Sequence, residues 1–84
     1  MFVNIVDSLE QLEAVQRQVY VQNNSIVLDV AYEYSIALSR CDTAEKLLSW
    51  VLHLQQKTWV NSLITERFVS LACQANGIRL DDAL

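Results

Sequence analysis

Proline is absent from the 84 residues, and glycine occurs once, at Gly77. Small sheet-rich domains lean on both residues for their turns, so this scarcity argues for helices. A single glycine also rules out a glycine-rich loop that cradles phosphate. There is one histidine, His53, flanked by Leu52 and Leu54. In that setting it reads as a structural residue rather than a catalyst. The two cysteines, Cys41 and Cys73, form neither a CxxC pair nor a metal-ligand spacing, and they read as reduced, buried thiols. Basic residues are few: six Lys and Arg stand against ten Asp and Glu, for a net charge of −4. Such a balance lacks the electrostatic footprint of a nucleic-acid-binding protein. No apolar run reaches the roughly 18 residues needed to span a bilayer. The N-terminal stretch MFVNIVDSLEQ has no basic region and meets Asp7 too early for a secretory signal. A cytoplasmic protein with no membrane contact is therefore expected. The acids are scattered, without paired-carboxylate or metal spacing, so no enzyme, cofactor or metal is expected.

What the chain does contain is apolar residues, 52% of the total. A chain this short buries only about 60–65% of its unfolded surface. So much apolar content in so small a domain points to self-association or to a partner.

Residues 42–78 carry the strongest pattern. Asp42 and Glu45 have the spacing of a capping box, and Asp42 with Lys46 makes a favourable pair four apart. Ala44, Leu47, Leu48, Val51 and Leu52 then share one helical face, with Trp50 and Leu54 forming a second stripe beside it. The polar run Gln55-Gln56-Lys57-Thr58 reads as a turn. A second helix starts near Thr58 or Asn61, buries Ile64, Phe68, Leu71, Ala72 and Ala75, and stops at Asn76-Gly77-Ile78, where Gly77 can turn left-handed. Together these make a helical hairpin.

Residues 2–22 read as a first helix. Phe2, Ile5, Leu9, Leu12, Gln16 and Val19 recur at spacings of three and four, as in a pairing seam with one polar member. Around residues 19–31 three readings stand. The helix breaks at Gln22-Asn23-Asn24-Ser25; or it runs through, with Asn23, Val27, Ala31, Tyr34 and Leu38 extending the seam; or Val19-Tyr20-Val21 and Ile26-Val27-Leu28 form a β-hairpin around the polar loop. The helical readings are preferred, because Val30, Ala31, Tyr34, Ala37 and Leu38 fit a helical face better than they extend a hairpin.

One segment carries a resemblance. Trp50-Val-Leu-His-Leu-Gln-Gln-Lys-Thr-Trp59-Val, followed by Leu63-Ile64, Phe68-Val69, Leu71-Ala72-Cys73 and Gly77-Ile78, resembles small accessory proteins of lambda-like bacteriophages. These are early-region proteins encoded between the exonuclease and excisionase genes. The resemblance covers the C-terminal half only, and it assigns a role to no residue. It implies a helical, non-enzymatic protein made early in the host cytoplasm, which influences the host cell cycle or the lysis–lysogeny choice.

The sequence thus predicts an all-α domain of three to four helices over residues 1–84. It comprises an N-terminal helical region (1–41), the helical hairpin (42–78) and an acidic tail (79–84). The N-terminal region is expected to pair in a homodimer, with Leu9, Leu12, Gln16, Val19, Asn23, Trp50 and Trp59 as interface candidates. The expected partner is a host or phage protein. Two other classes are kept beside this one: a DNA-associated regulator that uses the C-terminal helix pair, and a purely structural protein that oligomerises.

Overall fold

The structure, a computed structural model, describes residues 5–79, with side chains from Leu9 onward. It is α+β, which overturns the expected all-α domain built around a helical hairpin. Helix α1 (Ile5–Gln18) runs directly into strand β1 (Val19–Gln22). Strands β2 (Ser25–Asp29) and β3 (Glu33–Ala37) follow, then a 3-10 turn (Leu38–Arg40) and helices α2 (Ala44–Leu54) and α3 (Ser62–Asn76). The three strands form one antiparallel sheet in the order β1-β2-β3. Of the predicted seam, Phe2 and most of the acidic tail lie outside the described residues.

The hairpin that the preferred reading passed over has a local cause. Asn23 and Asn24 both take positive φ, 53° and 60°. A two-residue turn of type I′ demands this at both central positions, and Asn tolerates it better than any residue but Gly. The turn sets the register: Gln22 faces Ser25, Val21 faces Ile26, Tyr20 faces Val27 and Val19 faces Leu28. The third strand extends it, with Ile26 opposite Ile36 and Leu28 opposite Tyr34. Side chains alternate across a strand. Val19, Ile26, Leu28 and Ile36 therefore share the inner face and are buried in the core. Val27 is buried on the opposite face, between Tyr20 and Ser35.

α3 is the element on which the rest packs. It lies against β1, β2, the 3-10 turn, α1 and α2. Its Ile64, Phe68 and Ala72 are buried at spacings of four, one stripe facing the sheet. Asn61 caps it, with the side-chain oxygen accepting from the Ile64 N–H at 3.0 Å, one of the two starts anticipated. Gly77 ends it at φ 66°, and the Ile78 N–H donates back to the Cys73 carbonyl at 3.0 Å, which closes a Schellman-type end. α2 is capped one residue later than expected. The Thr43 hydroxyl accepts from the Lys46 N–H at 3.2 Å, while Asp42 pairs with the Lys46 ammonium at 2.9 Å. One clamp has no sequence signature: the Asn76 amide donates to the carbonyls of Leu38 and Cys41, both at 3.0 Å, and ties the 3-10 turn to the end of α3.

Candidate functional site

Among the described residues, reactive groups do not converge. His53 is exposed on α2, and its ring stands edge-on to Trp50 at 5.4 Å. No three His, Cys, Asp or Glu side chains among the described residues could hold a metal ion. Both cysteines are free. Burial pushes the Cys41 thiol up, and the neighbouring Asp42 charge adds to it; burial alone pushes up that of Cys73. Both remain thiols near neutral pH, and a thiol is a poor nucleophile. The Cys41 Sγ instead donates weakly to the carbonyls of Leu38 and Ala37 at 3.6 and 3.7 Å.

Apolar surface is what the fold leaves exposed. On α2, Leu48 and Leu52 are 60% and 62% exposed, one turn apart. Leu47 and Leu54 take the core face of the same helix, so its amphipathic stripe is too wide to bury at once. Beside Leu48 a hollow of about 190 Å³ opens between α2 and α3, floored by Leu47, Val51 and Val69. On α1, Leu9 and Leu12 are 54% and 44% exposed, while Val15 turns to the core.

The seven residues read as an interface separate into three groups. Leu9, Leu12 and Gln16 are exposed along one side of α1. Val19 is fully buried in β1, and Asn23 sits in the tight turn; their continuation of the helical seam fails because the helix ends at Gln18. The tryptophans are far apart in role. Trp59 is half-buried in an aromatic cluster, edge-on to Tyr32 and Tyr34 at 5.7 and 5.8 Å, with the Lys57 ammonium 5.3 Å from the Tyr34 ring centre. At these separations the rings pack edge-on against one another, with Tyr32 on the solvent side of the cluster. Trp50 instead borders a cleft of about 320 Å³ at the end of β3, with Arg40 and Ser35.

The sheet edges were invisible to a helical reading. Because Gln22 and Ser25 close the two-residue turn, Ser25 and Val27 point their main-chain groups toward β1, and Ile26 and Leu28 point theirs toward β3. The Leu38 N–H bond to the Asn24 carbonyl, 2.9 Å, continues the second ladder. It follows that Glu33, Ser35 and Ala37 aim their N–H and C=O groups outward. The recoverable signal was the alternation Glu33-Tyr34-Ser35-Ile36. On the other edge the Arg67 Nε donates to the Val19 carbonyl at 3.1 Å. That bond holds Arg67, the one arginine of α3, against the start of β1.

No helix among the described residues is long and apolar enough to cross a membrane. No family model, no curated protein and no solved structure matches the chain.

Proposed function

We propose that this chain is a non-enzymatic accessory protein of the lambda-like phage early-region type, which acts in the host cytoplasm by binding a host or phage protein. The observation that carries the reading is the pair Leu48 and Leu52, two large apolar side chains more than half exposed on a helix whose opposite face is already in the core. Exposed leucines in helical register above an apolar hollow suit an amphipathic helix or loop of a partner. The dispersed titratable groups and protonated thiols offer nothing comparable for catalysis. The chain's negative charge and the engagement of Arg67 weigh against the DNA-associated alternative. A tagged pull-down from infected and uninfected bacteria, run beside a Leu48→Glu/Leu52→Glu variant, tests the reading. A protein captured by the native chain and lost from the folded variant is the expected result. Equal capture by both would refute binding through this face.

A further inference from the structure

The two ends of strand β3 carry opposite charge, and neither charge is matched among the described residues. At its start Glu33 lies directly opposite Asp29 in the register. Two like charges facing across strands repel. Both are exposed, and no cation among the described residues lies within ion-pair distance of either. Just beyond its end Arg40 is exposed, with no carboxylate partner among the described residues. Between them runs the free edge, with the outward N–H and C=O groups of Glu33 and Ser35 unpaired among the described residues. Exposed edges of this kind accept another strand unless something blocks them. Among the described residues no proline interrupts this edge, and no helix packs along it to the extent that α3 packs along β1.

We propose that this edge is a self-association site, in which β3 pairs antiparallel with β3 of a second copy about a two-fold axis near Ser35. Antiparallel pairing reverses one strand against the other. It therefore brings the Asp29/Glu33 end of each copy to the Arg40 end of its partner, twice, as an isologous contact requires. The half-exposed Tyr32 ring, next to Glu33, arrives at the cleft beside the partner's Arg40 and Trp50 end. The two three-stranded sheets become one of six. This contact is separate from the leucine face of α2, so either can fail without the other. A five-residue strand gives a small interface, so the dimer is a weak one.

The test is sedimentation equilibrium at about 100 μM. The native protein is expected at twice 9.6 kDa. Glu33→Arg and Arg40→Glu, both at exposed positions, should each weaken dimerisation about tenfold or more, because each turns two attractions into repulsions. An equimolar mixture of the two single variants restores opposite charges at both contacts, and so does the double variant Glu33→Arg/Arg40→Glu; both should regain the doubled mass. A native protein that sediments at 9.6 kDa overturns the proposal. So do single variants that dimerise as well as the native chain, or a mixture and a double variant that both stay monomeric.

Discussion

The sheet has two edges, and the fold treats them differently. β1 emerges from α1 without a connecting residue, lies along α3, and has its Val19 carbonyl bound by Arg67. β3 lies against β2, and no helix packs along it to a comparable extent. Yet the strands themselves are alike: each is short, and each buries one side chain fully, Val19 in β1 and Ile36 in β3. Strand composition therefore does not decide which edge is closed. The difference lies in the Arg67 side chain of α3, which binds the Val19 carbonyl on the β1 edge.

If that contrast is right, the largest effect comes from removing what α3 puts under the β1 side. Phe68 is fully buried and is the bulkiest side chain in the core. Phe68→Ala should lower the unfolding free energy by about 3–5 kcal/mol in urea titrations, a large part of what a domain this size possesses. A loss below about 1 kcal/mol would mean that α3 does not anchor the sheet. A smaller effect tests the closed edge itself. Arg67→Ala removes the bond to Val19, and because Arg67 is half-buried the loss should be about 1 kcal/mol. Hydrogen exchange sharpens the point: β1 amides should exchange faster in this variant while β3 amides keep their native rates. Equal acceleration of both strands would erase the distinction between the edges.

The smallest effect lies remote from either edge and serves as its reference. The Lys46 ammonium, hydrogen-bonded to Asp42, holds that carboxyl below its ordinary range. A depressed carboxyl favours the folded state above the ordinary aspartate pKa of about 3.9, and that contribution fades as pH falls through the lower folded value. Asp42→Asn should therefore change stability slightly at pH 7 and remove a small part of the acid sensitivity, read as melting temperature against pH between about 2 and 5. An unchanged acid profile would show that the pair contributes nothing.

The C-terminal helices were legible because their signals are local. Asn61, Gly77 and the Asp42–Lys46 pair act within one turn of chain, and the structure places each where its chemistry requires. The sheet was harder to read. Val19-Tyr20-Val21 and Ile26-Val27-Leu28 satisfy a helical period and a strand period about equally well over so few residues. Asn23-Asn24 held the deciding clue as a two-residue left-handed turn, diluted when the loop was counted as four. The Glu33–Ala37 alternation was present but stands next to Val30 and Ala31, which blur it.

The sequence by itself determined the Asn61 cap and the Gly77 stop of the last helix, the acidic balance, the lack of metal and nucleotide motifs, and an apolar content high for so small a chain. These follow from residue identity and from contacts a few positions apart. Only the tertiary structure decided that Val19 lies in the core, that Arg67 belongs to a sheet edge, and that Asn76 clamps a turn 35 and 38 residues away. Each depends on which element lies beside which, and for a short apolar strand that is settled by the packing of the whole chain.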